Sequence, residues 1–455
     1  MVKRVLLLSL VLILSLTTMS AEALSLGTLP ADAPWVLEYA EKFDGAVLGN
    51  HLSIAHHPIT GTAYVSYYDS LNKNLKLAYE VAPGTGNCGT ENRWHCEIVD
   101  STGNVGLYTS IDVGFVPGQL NTSASTVIGI SYLDSSNNQM KFAKGTNSGA
   151  STTWEIEMVD NVDYVLYTSM KFWSDLTPYI AYQVMKVTNP MSGSVKLAHY
   201  DGTGGGNCGT SNQWVCETVD SNSHVDHGKF LSLDLLYDNT PAIAFYNDAT
   251  NDLELAVKHA GSGCGNPAWT CTIVDGAVDD VGHYASLEAP NSSADIFRIA
   301  YYDITNDQLK YAESVPSGGN CTSSLFNCFP VDFVGFSDLL NAYDLSMSMD
   351  NQGYPIIAYQ DATTSVPKLK IARPIAAYGE ASGNCGVPTD QWRCDVIDSG
   401  SGFDLEAEFV AVGISTIGTA TIAYTELDLR TVDTNTYLKI ARQQMFNINL
   451  PLIVR

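Results

Sequence analysis

Apolar residues in this chain fall into short runs rich in Val, Ile, Tyr and Thr, separated by clusters of Gly, Asn, Asp and Pro. Runs of that composition between turn-forming residues predict β-strands. Beyond the first 23 residues no stretch has the 3.6-residue period of an amphipathic helix. The runs also repeat. Val65-Ser66-Tyr67-Tyr68-Asp69 is followed after a short turn by Leu75-Lys76-Leu77-Ala78. The same phrase returns at Ile130–Asp134 with Met140–Ala143, and at Ile299–Asp303 with Leu309–Ala312, and weaker copies start at Ile180, Ile243, Ile357 and Ile422. A second phrase follows most copies, as in Trp94-x-Cys96-Glu97-x-Val99-Asp100, Trp214–Asp220 and Trp269–Asp275. A third precedes each, typified by Tyr108-x-Ser110 and Tyr284-x-Ser286.

The Ser of the third phrase falls at 53, 110, 169, 232, 286 and 346, with Ala411 in its place in the seventh copy. Each copy therefore reads as four strands: A around the Ser, B at the Ile-Ala-Tyr-Tyr-Asp run, C at Leu-Lys-x-Ala, and D at Trp-x-Cys-Glu-x-Val-Asp. Four-stranded units recurring at this spacing predict an all-β, seven-bladed β-propeller. The ends supply a check. The seventh copy lacks a D phrase after Ala441, while Trp35–Glu41 is a D phrase with no A, B or C before it. An N-terminal strand that completes the last blade would close the ring and remove exposed sheet edges.

The ends of the chain set the compartment. Lys3 and Arg4, an apolar run from Val5 to Leu16 and Ala21-Glu22-Ala23 form the pattern of a cleavable signal peptide over residues 1–23. The run is too short to span a bilayer, which takes about 20 apolar residues, and no later segment qualifies. Residues 24–445 are assigned to the propeller and 446–455 to a C-terminal tail, read either as an edge segment of the last blade or as a surface-attachment element. All ten cysteines fall in local pairs: Cys88 with Cys96, Cys208 with Cys216, Cys264 with Cys271, Cys321 with Cys328, and Cys385 with Cys394. Each pair brackets a C–D connection, and two copies lack both members, as local disulfides in an exported protein predict.

Composition narrows the partners. Without residues 1–23 the chain carries 21 basic against 48 acidic residues, a net charge near −27. Such a field disfavours nucleic acid and anionic membranes. Strand direction puts the B–C turns and D–A loops on one rim, the upper one here. That rim collects Glu41, Asp100, Asp160, Asp220, Asp275, Asp332 and Asp398 from the D phrases, and Asp69, Asp134, Asp303, Asp361 and Glu426 from the B runs. Two readings stay open: turn capping by Asp, or oxygen ligands for Ca²⁺. The strand C lysines (76, 141, 196, 310, 370, 439) are expected to face Glu38, Glu97, Glu157, Glu217 and Asp395 on adjacent D strands. The copy with Glu254 in place of Lys has Thr272 in place of Glu, which would avoid a like-charge pair. The repeated Trp (35, 94, 154, 214, 269, 392) read as packing between blades.

Histidines that interrupt the repeat mark candidate ligand-binding positions. His51 replaces the usual Tyr of its A phrase, and Asp226-His227 and Asp279-Asp280 with His283 sit in D–A loops of adjacent copies. Histidine with carboxylates suits metal binding or proton transfer, or a loop exposed to solvent.

The SYYDxxNxxLKxA repeats resemble those of uncharacterised secreted bacterial propellers often labelled sialidase-like, over nearly all of 35–441. The resemblance implies a scaffold and does not assign an activity. Sialidases carry S-x-D-x-G-x-x-W boxes and an arginine triad, whereas this chain has no such box, and Arg93, Arg298, Arg373, Arg393, Arg430, Arg442 and Arg455 lie mostly outside the upper-loop phrases. GxSxG, HExxH and P-loop signatures are absent too. The expected function is a secreted or cell-surface, monomeric ligand-binding or adhesion scaffold for a glycan or an extracellular protein. A structural envelope protein and a two-carboxylate glycoside hydrolase or lyase are the alternatives.

Overall fold

The computed structural model describes residues 34–444, apart from 45–49, 117–125, 148–151, 188, 277, 294, 336–343, 365, 387–389, 401–403 and 429–434. The segments assigned to signal peptide and tail lie outside the described residues. Seven four-stranded antiparallel sheets are present, each ordered A-B-C-D. Consecutive A strands touch all the way round, the seventh (Asp404–Ile414) meeting the first (Asn50–His56), so the molecule is a closed seven-bladed β-propeller. The D strand of the seventh blade is Trp35–Asp44, antiparallel to Asn435–Gln443 with Trp35 opposite Gln443.

The five disulfides join the predicted partners: Cys88 to Cys96, Cys208 to Cys216, Cys264 to Cys271, Cys321 to Cys328, and Cys385 to Cys394. Each closes the connection between strands C and D of one blade, and none joins two blades. In four of these loops the Asn before the first Cys clamps the second. Asn87 accepts from Cys96 N and donates to Cys96 O. Asn207 does the same for Cys216, Asn320 for Cys328 and Asn384 for Cys394. These cysteines therefore serve the loops as staples, and the candidate ligand positions are not among them.

Each B strand is buried over most of its length (Ala63–Asp69 and Pro355–Asp361 throughout), because both of its faces pack against neighbouring blades. The apolar run of the B phrase is what such two-sided burial demands. The Trp of the D phrase closes the packing between blades: Trp94, Trp214 and Trp269 are fully buried. Their indole N–H groups donate to Glu38, Glu157 and Glu217 of the preceding blade. The A-phrase Ser is a second tie. Its hydroxyl accepts the backbone N–H of the next blade's A strand, from Ile111 N on Ser53 to Val412 N on Ser346.

The strand C lysines do not pair as expected. The ladder sets Lys76 opposite Ile98 and Glu97 opposite Leu77, so the two charges are not partners across the strands. Each lysine instead reaches the carboxylate that ends the D strand of the preceding blade. Lys141 Nζ lies 2.9 Å from Asp100 Oδ2, and Lys310 Nζ 2.5 Å from Asp275 Oδ2. The B-strand Tyr donates to the same oxygen, Tyr132 to Asp100 at 2.8 Å and Tyr301 to Asp275 at 2.7 Å. Asp160, Asp332 and Asp398 repeat the arrangement, and Glu41 divides it, accepting from Tyr67 on Oε2 and from Lys76 on Oε1.

The fourth blade (Lys229–Leu235, Pro241–Asn247, Asp252–Val257, Thr270–Asp275) departs from it. Phe245 and Glu254 stand where Tyr and Lys should be, so like charges are not avoided: Glu254 and Asp220 face each other. His227 fills the gap, its Nε2 2.9 Å from Asp220 Oδ2, and Asn247 donates to Glu254 at 2.7 Å. Burial, then Asp220, raises the Glu254 carboxyl above its ordinary range.

Two stability outcomes follow from these ties. Lys310→Met leaves Asp275 buried without its cation and should cost about 3–5 kcal/mol. Glu254→Lys restores the repeat and should instead stabilise by ~1 kcal/mol. Urea melts of both variants check this, and equal effects of the same sign would reject the inter-blade role. Removing residues 24–44 takes away the outer strand together with Glu38 and Glu41, the partners of Trp94, Tyr67 and Lys76. The urea midpoint of that truncation should fall sharply, and an unchanged midpoint would reject closure by this strand.

Candidate functional site

The A strands line a central channel, and the residue two before each Ser faces it near the upper end. Those seven positions are His51, Tyr108, Tyr167, Phe230, Tyr284, Asp344 and Phe409, all of which line one cavity of about 310 Å³. Six are aromatic. Neighbouring rings touch in sequence: Phe409–His51 at 5.1 Å between centroids, His51–Tyr108 at 4.0 Å, Tyr108–Tyr167 at 4.8 Å, Tyr167–Phe230 at 5.1 Å and Phe230–Tyr284 at 4.3 Å.

The backbone explains why these side chains turn inward. His51, Tyr108, Tyr167, Phe230 and Tyr284 all have left-handed φ, between 43° and 56°. The A–B ladder skips at each of them, which marks a β-bulge built on a bulky residue where glycine is usual. A ring-bearing residue in that region is strained, at a cost on the order of 1 kcal/mol or more per position. Five such positions in one circle are held by the packing of the blades. The seventh position is the exception. Asp344 stands where the repeat has a ring, and its two oxygens accept from Leu345 N at 2.9 Å and Val410 N at 3.2 Å. Burial outweighs these bonds and pushes its carboxyl up to about 7. Burial likewise brings the His51 imidazole down to about 3, so it is neutral at physiological pH.

The six sequence-derived candidates separate. His51 is a member of the circle. His283 stacks on Phe230 (4.9 Å) and Tyr246 (4.5 Å), and its Nε2 meets Asp280 Oδ1 at 2.9 Å. Asp226 pairs with Lys229 at 2.6 Å and helps to raise the Tyr167 hydroxyl, after burial and the neighbouring tyrosines. These four groups converge on the upper mouth. His227 does not: it is fully buried between blades on Asp220. Asp279 lies half-buried in a bend beside Asp280. Sequence reading passed over Asp344 and the circle as a whole, although an aromatic two residues before the Ser in six of seven copies was the signal.

Below the aromatic level, two residues after the Ser, the channel carries Asp112, Lys171, Asp234 and Glu288. Asp112 accepts from Val113 N and Phe172 N, both at 2.8 Å, and Asp234 from Ala289 N at 2.7 Å. Lys171 Nζ is 3.5 Å from Asp234 Oδ1. These groups open to the channel, yet protein surrounds them on every side. Burial, then Asp234, pushes the Glu288 carboxyl up to about 8 against the pull of Lys171 and Arg298.

The acidic upper rim is largely engaged. Asp69 and Asp134 each accept two turn N–H groups and an Asn side chain, and the D-strand carboxylates serve the Tyr–Lys pairs above. Among the described residues one trio, Asp220, Glu254 and Cys271, brings potential metal-ligand atoms within 4.8 Å of one another. Cys271 is bonded to Cys264, so its sulfur is no thiolate ligand. A larger groove of about 780 Å³ lies on the lower rim between the seventh and first blades, where Arg442 is paired with Glu80 and Glu38.

No protein-family model matches the sequence, and a search of curated proteins finds no match. Among solved structures, the chain is similar to an arginine-to-alanine triple mutant of AofleA from Arthrobotrys oligospora, at 10% identity and TM-score 0.44, covering 81% of this chain and 91% of that one. It is similar to the polysaccharide lyase Uly1 at 10% identity and TM-score 0.45, over 89% and 92% of the two chains. It is also similar to the NanB sialidase from Streptococcus pneumoniae at 10% identity and TM-score 0.39, over 89% and 70%. At these levels the likenesses say nothing of ligand or reaction.

Glu288 gives the channel a pH signature. Its folded value of about 8 lies above the ordinary 4.5, so the folded state keeps a proton that the unfolded chain releases. The stabilisation is present in full below pH 4.5 and is lost as pH rises through 8. Glu288→Gln should therefore match the wild type at pH 4 and exceed its Tm at pH 9, by on the order of a few °C. A difference that does not change with pH would reject the raised value.

Proposed function

We propose that this protein is an exported ligand-binding or adhesion scaffold that seats its ligand at the upper mouth of the central channel. The observation that carries this reading is the circle of strained, inward-turned residues: bulky side chains in left-handed backbone persist where surrounding structure over-determines them, and such strain concentrates at ligand sites. Rigid aromatic rings around a concave cavity offer contact area at little entropic cost. Among the described residues the lining of this cavity holds a single carboxyl, Asp344, whereas most glycoside hydrolases use a flanking pair, which favours binding over hydrolysis. Export rests on the amino-terminal residues 1–23 and agrees with five disulfides, which persist in oxidising compartments. A glycan or an extracellular protein is the ligand class for this exposed mouth.

The test is to pass wild type and Tyr108→Leu/Tyr167→Leu over glycan and extracellular-matrix arrays. The wild type should be captured, the folded double variant should lose at least tenfold in affinity, and no polysaccharide should be cleaved. Capture that is indifferent to the double substitution, or turnover of a polysaccharide, would overturn the reading.

A further inference from the structure

We propose that the upper mouth recognises an organic ammonium group, an alkylated or methylated amine carried on its ligand, with the cation inside the aromatic circle and against Asp344. This deepens the ligand-seat reading above and rests on it. Three observations carry it together.

First, the dimensions suit a small cation. Five spacings of 4.0–5.1 Å between neighbouring centroids join six rings around a cavity of about 310 Å³, a space that admits a small alkylammonium group. A cation in that space is walled by rings, and cation–π attraction adds wherever a ring face is turned toward it. Second, the charge is complementary. The seventh position of an otherwise aromatic circle is a carboxyl that a bound cation would draw to its ionised form, and its backbone bonds use one lone pair on each oxygen of the four then available. Among the described residues no Lys or Arg lines the cavity, and the nearby Lys229 is already held by Asp226. Third, the surroundings raise the local concentration of cations. Asp280 lies beside the circle through His283, which packs on Phe230, and the whole chain carries a net charge of −26. An anionic ligand would face that field with no guanidinium among the described lining residues to meet it. A strongly hydrated metal ion would find rings where it needs oxygen ligands.

The probes are choline and tetramethylammonium, with 3,3-dimethylbutanol as the uncharged isostere of choline, titrated into the full chain by calorimetry and observed by intrinsic Tyr fluorescence. Choline should bind at least tenfold more tightly than the neutral isostere. Asp344→Asn keeps an acceptor for one of the two backbone N–H groups, turns an NH2 toward the other, and should weaken choline about tenfold without changing binding of the isostere. Tyr167→Leu keeps bulk but removes a ring and should weaken both cations, and circular dichroism and Tm confirm that each variant folds. Equal binding of choline and its isostere, or choline binding unaffected by Asp344→Asn, overturns the assignment. So does an absence of cation binding. If the array then still shows ring-dependent capture, only the ammonium assignment falls. If that capture is also absent, the ligand seat falls with it.

Discussion

The architecture depends on a carboxylate that belongs to one blade and is satisfied by the next. Asp275 ends a D strand, and the Tyr301 hydroxyl and Lys310 ammonium that meet it come from the following sheet. A buried charge that is left alone is costly, and one that is paired and hydrogen-bonded is tolerated. No blade therefore completes its own polar core. Each is stable only against its neighbour, and the circle has no blade that dispenses with the others. The indole-to-Glu and backbone-to-Ser bonds repeat the same logic at two further radii.

That constraint also explains how strained backbone survives at the channel. The ladder just below four of the five bulges is clamped by the Ser hydroxyl of the preceding blade, as Met170 N is by Ser110. The left-handed residue three positions earlier is thus held by a neighbour as well as by its own sheet. Rigid blades supply the frame, and the mouth is where their bulges point. The fourth blade shows how far the frame bends. Losing both Tyr and Lys, it recruits His227 to Asp220 and Asn247 to Glu254, and the sheet remains in register with the others.

Much of the fold was legible because the repeat is read along one strand at a time. Val65–Asp69 and its copies fix strand B, the cysteine pairs fix the C–D connections, and Trp35–Glu41 fixes where the ring closes. What escaped is what lies between copies. Lys76 looks like a partner for Glu97, twenty-one residues on, and its true partner Glu41 sits in a different sheet; a linear reading has no term for that. His227 resembled a loop histidine because the substitution it compensates, Glu254 for Lys, lies on another strand. His51 was noticed as a departure from Tyr, but the circle it belongs to emerges only when seven A strands are arranged about one axis. Asp344, the single acidic member, was hidden for the same reason.

The seventh blade joins the first described strand to the last, with Trp35 opposite Gln443 and Gln444 N donating to Pro34 O at 2.8 Å. Both directions of chain therefore leave the propeller side by side on the lower rim, across the molecule from the aromatic mouth. A tether running from either end would hold the mouth outward. Force applied between the two ends would act differently: it would open the Trp35–Asp44 strand from its partner one hydrogen bond at a time, as a zipper opens, instead of shearing all of them together. A load borne through one end and the bound ligand spares that seam, while a load borne through both ends tears it first.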